Sequence, residues 1–154
     1  MIEKMLSAYK KVYGKKFEMK NFDDRIKMQK CNYILAMSGM GFTKFYKYIW
    51  CDYGPYSSEL SDDLKIYYDK DREIQYEFDE VEEKLLNRLI KMISDVSSKC
   101  EYTDRDIVEA KASLMFLEEL GICSNQSETL NELMNRKPHL SKSNINEEIL
   151  QYNL

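Results

Sequence analysis

One histidine, His139, is all that the 154 residues contain. Nucleophile–base machinery of the Ser-His or Cys-His kind would need it as the base. It follows Pro138 at a helix junction, where a capping or packing contact is the expected role. Glycine is also scarce, at five residues, and the phosphate-cradling loops G-x-x-x-x-G-K-[ST] and G-x-G-x-x-G are both missing. "SGMGF" at 38–42 has two glycines but follows a helical pattern rather than a strand. H-E-x-x-H and G-x-S-x-G do not occur. The four cysteines, Cys31, Cys51, Cys100 and Cys123, never form a C-x-x-C pair, so a zinc site would lack its short-spaced ligands. Cys31 and Cys123 lie in apolar patterns, where a thiol acts as a small hydrophobe. No apolar run approaches the ~20 residues that span a bilayer. The start, "MIEKMLSAYKK", mixes charged and apolar residues at helical spacing, unlike a signal peptide. These absences predict a cytoplasmic, non-enzymatic chain with reduced cysteines, no cofactor, no metal and no membrane contact.

What is present suits one domain over residues 1–154. A chain of this length buries roughly 68–70% of its unfolded surface, enough for a core without staples. Charged residues make up 32% and apolar residues 44%, ordinary values for a globular protein. The net charge of −4 conceals an asymmetry. Residues 1–50 hold eleven Lys and Arg against four Asp and Glu, and residues 51–154 hold twelve against twenty-three. Such a split marks either a surface for nucleic acid or an acidic partner, or two faces that meet inside the fold. The carboxylate pairs Asp23-Asp24 and Asp62-Asp63 have groups a metal or hydrolase site could use; they read instead as helix-dipole partners or solvated acids.

Hydrophobic periodicity predicts a mainly α fold, a compact bundle of about seven helices with one small β element, a strand or hairpin near 45–51. The first helix spans 2–13 and stops at Gly14. The second runs from about Phe22 to Ser38, with an apolar arc wide enough to place it centrally. "FYKYIWC" at 45–51 reads as a strand that Gly54 and Pro55 end, and a helix follows to about Asp69, its buried face including Tyr67 or Tyr68. A short extended piece is expected at 73–78. Asp79 and Glu82 have capping-box spacing before a helix to about Ser97 with Val81 inward. Thr103 and Asp106 open the next helix, with Leu120 inside and Gly121 as its stop. Short helices at 127–136 and about 144–152 complete the chain.

The cations of the second helix, Arg25, Lys27 and Lys30, share it with Gln29, and Lys15, Lys16, Lys20, Lys44 and Lys47 lie nearby in sequence. A helix presenting Arg, Gln and Lys can neutralise phosphates and read base edges; it can equally be a solvated face or pair with the acidic remainder. Among the aromatics Tyr46, Tyr48, Trp50, Tyr53 and Tyr56, Tyr53 and Tyr56 are the candidates to face outward, the others being core.

Three segments, "FDDRIKMQKCNYIL" (22–35), "YGPYSSELSDDL" (53–64) and "NRKPHLSKSNINEEI" (135–149), resemble the YwgA-like family of uncharacterised prokaryotic proteins. More distantly, the lysine-glutamine helix followed by a "YGP" turn is similar to the Panacea domain of SocA-like antitoxins. The positions that carry this likeness are Arg25, Gln29, Lys30, Tyr33, Gly54, Pro55, Tyr56 and Ser57. The resemblance implies a mainly helical domain, sometimes compared with winged helices, that binds proteins or DNA rather than catalysing a reaction. The expected binding surface is Arg25, Lys27, Gln29, Lys30, Tyr53, Tyr56 and Ser57. The leading expectation is an antitoxin-like regulator with a protein partner. The alternatives are a DNA-binding regulator using helix 22–38 or the helix after Gly54-Pro55, and an acidic mimic of nucleic acid. The apolar helix faces also suit a homodimer.

Overall fold

A computed structural model describes residues 1–41, 46–73, 75–140 and 145–154, with the side chain of Asn146 excepted. Among these residues are seven α-helices and one two-stranded antiparallel sheet. The order is α1 (Ile2–Tyr13), α2 (Phe22–Met37), β1 (Ile49–Cys51), β2 (Gly54–Tyr56), α3 (Ser58–Tyr67), α4 (Glu80–Lys99), α5 (Asp104–Leu120), α6 (Gln126–Arg136), a 3-10 turn (Pro138–Leu140) and α7 (Ile145–Leu150). The mainly α expectation holds.

Local chemistry sets most helix ends. Gly14 closes α1 in the left-handed region at φ 69°, its N–H donating to Lys10 O at 2.8 Å. Asn21 caps α2 by accepting from Asp24 N, and Ser57 caps α3 by accepting from Leu60 N. Asp79 and Glu82 form the reciprocal capping box of α4, at 2.9 and 3.1 Å. Thr103 and Asp106 do the same for α5, and each such cap contributes about 1 kcal/mol.

The core is built around α5, which packs on α2, α4, α6, α7 and β2. Helices α2 and α5 run side by side in the same direction: Arg105 pairs with Asp23 near both starts, and Phe116 meets Tyr33 further along. Leu86, Leu89, Met92 and Val96 of α4 and Ile107, Val108 and Leu117 of α5 are fully buried. Helix α2 is buried on nearly every side, Asp24, Gln29, Lys30 and Asn32 included. The charge asymmetry is partly consumed internally, since Lys4 and Lys11 of α1 pair with Glu82 and Glu83 of α4.

Several expectations change. Val81 and Leu120, expected inward, are exposed. Tyr67 is exposed as well, while Tyr68 turns in and donates to Phe17 O at 3.0 Å. The piece at 73–78 forms no strand among its described residues, with Ile74 outside them. Residues 42–45, Lys44 among them, and the expected helix start at Asn144 also lie outside the described residues.

The largest change concerns the β element. Strand pairing begins at Ile49, and Gly54-Pro55 do not end a strand. They belong to β2, paired Ile49–Tyr56, Trp50–Pro55 and Cys51–Gly54 across an Asp52-Tyr53 loop. With a two-residue loop, Cys51–Gly54 is a hydrogen-bonded pair and Trp50–Pro55 is not. Pro55 therefore sits where a strand needs no N–H toward its partner, which is why a proline is tolerated there. Its carbonyl points away from β1, toward α2.

Candidate functional site

The outer edge of β2 is closed by side chains rather than by a third strand. Gln29 Nε2 donates to Ser57 O at 2.9 Å, and Gln29 Oε1 accepts from Ser57 N at 2.9 Å. This side-chain amide makes the pair of bonds that a neighbouring strand would make. One residue along α2, Lys30 Nζ donates to Pro55 O at 2.8 Å. Lys137, after α6, donates to Asp52 O and, at 3.3 Å, to Cys51 O. Gln29 and Lys30 come from a helix distant in sequence and cover the edge that would otherwise template further pairing, while Lys137, just past the end of α6, ties down the loop end of the hairpin.

Gly54 sets how close the hairpin comes to α5. Its φ is +90°, and a Cβ there would lie 2.5 Å from Ser113 Oγ. Beneath this contact lie three nearly inaccessible charges: Lys30 and Lys137, each 2% exposed, and Glu109, 1% exposed. Glu109 Oε1 is 3.3 Å from Lys137 Nζ and 3.3 Å from His139 Nε2. Neither contact to that oxygen has hydrogen-bond geometry; Lys137 is held there by close ion pairing, and His139 Nε2 also meets Glu109 Oε2 at 3.4 Å. Burial pushes the Lys30 amine down to about 7; Glu109 opposes that shift and Lys137 adds to it.

Beside the hairpin, between α2 and α3, is a cavity of about 170 Å3. Phe22, Ile26, Tyr53, Tyr56 and Leu64 form much of its wall, and Arg25 and Lys30 are its cations. No carboxylate lies among its lining residues, nor do Glu109, Lys137 or His139. Phe22 and Tyr53 are 50% and 41% exposed, and their rings meet edge to face at 5.5 Å. The Arg25 guanidinium lies 5.5 Å from the Phe22 ring and donates to Met19 O at 2.9 Å. Arg105 lies 6.0 Å from the Tyr53 ring while paired to Asp23 at 2.9 Å. The outcome is an Arg–Phe–Tyr–Arg row at the surface, with an apolar cavity behind it.

The seven residues expected to form a binding surface therefore divide. Arg25, Tyr53 and Tyr56 meet at the cavity. Gln29, Lys30 and Ser57 are buried struts of the hairpin and are not at the surface. Lys27 turns away, 3.6 Å from Asp23 and 5.1 Å from the centre of the Tyr13 ring. Tyr46 and Tyr48 are tied inward, to Asp63 and Asn32. Sequence reasoning missed Phe22, Arg105, Glu109 and Lys137. One available signal concerned Lys30, which has Ile26 and Ile34 four residues away on either side, on the same helix face. Both isoleucines are buried.

The four cysteines are free. Among the described residues no cluster of His, Cys, Asp and Glu could hold a metal ion, and no helix is long and apolar enough to cross a membrane. No protein-family model matches the chain, and no curated protein or solved structure is significantly similar to it.

Proposed function

We propose that this chain is a non-enzymatic cytoplasmic regulator, antitoxin-like in its mode of action, that binds another protein through the surface where α2 begins beside the hairpin loop. The observation that carries this reading is the exposed Phe22–Tyr53 pair backed by a largely apolar cavity. Aromatic and arginine side chains around a desolvated pocket are the composition of interface hot spots. The likeness of 22–35 and 53–64 to YwgA-like and antitoxin segments points the same way, by analogy.

DNA reading draws no support from this arrangement. Gln29 is fully engaged with Ser57 and Lys30 is buried, so α2 does not offer them to a groove. Helix α3 carries Glu59, Asp62 and Asp63 against a single Lys65, the wrong balance for phosphate. The acidic-mimic alternative is weakened likewise, because Glu82 and Glu83 are paired with α1.

The test is capture of partners by the tagged chain from its host, with nuclease treatment, alongside Phe22→Ser and Tyr53→Ser variants verified as folded. One protein partner that survives nuclease and is lost with either variant is the expected result. Equal capture by the variants, or recovery that depends on nucleic acid, overturns the reading.

A further inference from the structure

The cavity beside the hairpin has a size and a charge pattern that together specify an occupant. At about 170 Å3 it is smaller than the roughly 300–1,000 Å3 of sites for cofactors and drug-sized ligands. It accommodates one side chain rather than a nucleotide. The wall contributed by Phe22, Ile26, Tyr53, Tyr56 and Leu64 suits an aliphatic or aromatic group.

Charge adds a second requirement. Lys30 lies deep, Arg25 is half-buried, and the lining holds no acid to neutralise them. A guanidinium has five N–H donors, and the hydrogen bond that Arg25 makes goes to Met19 O. Donors thus remain for an acceptor arriving next to the apolar group, and a carboxylate suits them best. Phosphates are the poorer fit, because α3, which supplies Ser61 and Leu64 to the wall, also carries Glu59, Asp62 and Asp63.

Resting on the reading that this chain binds a protein, we infer that the cavity receives a single apolar side chain of the partner, and that an adjacent Asp or Glu of the same segment is held by Arg25. The partner segment is acidic even though this chain is itself net acidic, because recognition depends on the local field and not on the total charge.

The experiment is an amide-resonance titration of the full chain with capped pentapeptides. The first is Gly-Asp-Phe-Glu-Gly; the others replace Phe by Ala, both acids by Asn and Gln, or both acids by Lys. The parent peptide is expected to shift amides within 19–30 and 51–64. Loss of the ring should weaken binding more than tenfold, and loss of the acids about two- to fivefold. Arg25→Gln should abolish the preference for acids while retaining that for the ring. Ser61→Met, which fills the cavity, should remove binding from a chain whose spectrum stays folded.

Four results overturn the inference: no peptide shifts the spectrum, the shifts map elsewhere, the lysine peptide binds as well as the parent, or a short oligothymidylate perturbs the same amides more strongly. If Phe22→Ser and Tyr53→Ser lose the captured partner while no peptide binds, the anchor is rejected and the protein-binding reading stands.

Discussion

Lys30 gives the sharpest test of how the hairpin is held. It is a lysine at 2% exposure whose ammonium, among the described residues, has one hydrogen-bond acceptor, Pro55 O, and no carboxylate within ion-pairing distance. Burial lowers its pKa from the ordinary 10.5 to about 7. The unfolded chain therefore binds more protons than the folded one between those values, and stability rises with pH across that window. At 1.36 kcal/mol per unit, the charge costs the folded state about 4 kcal/mol at pH 7 and under about 1 kcal/mol at pH 10. Lys30→Met removes this cost but leaves Pro55 O without its donor, a loss of about 1–3 kcal/mol. The variant should be more stable than the parent by roughly 1–3 kcal/mol at pH 7. At pH 10 it should be equal or less stable, so the two stability curves cross between about pH 8 and 10. Urea unfolding with linear extrapolation at several pH values measures the difference. Comparing the two proteins at each pH cancels the tyrosines and other groups they share. Parallel curves, with a difference independent of pH, would refute a proton-linked burial cost at Lys30.

Three further substitutions test the same bracket. Gln29→Ala strands the buried N–H and C=O of Ser57 and should cost about 2–4 kcal/mol in urea unfolding; a cost below about 1 kcal/mol would mean that other groups can satisfy this edge. Glu109→Gln leaves Lys137 without its buried counter-charge and should destabilise by about 3–5 kcal/mol, which calorimetry would register as a clear fall in Tm. Gly54→Ala combines a φ of +90° with a clash against Ser113 Oγ, so a loss of about 1–3 kcal/mol is expected. Adding Ser113→Gly should recover only part of it, because the strained φ persists.

Where a feature is written in neighbouring residues, the sequence made it readable. Gly14 and Gly121 stop their helices in the left-handed region, and the Asp79–Glu82 and Thr103–Asp106 boxes start theirs, because each depends on residues within one turn. Strand β2 is local only in part, since its partner β1 is a two-residue loop away but the groups that close its outer edge are not. "GPY" has turn-forming residues, and its strand character comes from register with β1 and from Gln29 and Lys30, twenty-five or more positions away. The same separation hid the charges at the centre: by residue type Lys30, Glu109 and Lys137 read as surface, and only tertiary packing brings them together.

The helical arc of α2 does carry a trace of this, and it bears on function. Gln29 precedes Tyr33 by four positions and follows Ile26 by three, while Lys30 lies between Ile26 and Ile34. Both polar residues thus fall on the apolar face, where a long side chain must find a buried partner or destabilise the fold. Gln29 finds two in Ser57, and Lys30 finds one in Pro55. A glutamine whose amide is engaged at both ends has neither the donor nor the acceptor that bidentate recognition of an adenine requires. The lysine-glutamine pattern that invites a DNA-reading interpretation is thereby accounted for within the fold. Beside the hairpin, the accessible part of α2 is its first turn, where Phe22 is exposed and Arg25 half-buried beside Tyr53. If the proposed protein-binding reading holds, recognition through this face would rest on apolar shape and one guanidinium, and binding should vary little with salt compared with a contact built on phosphates.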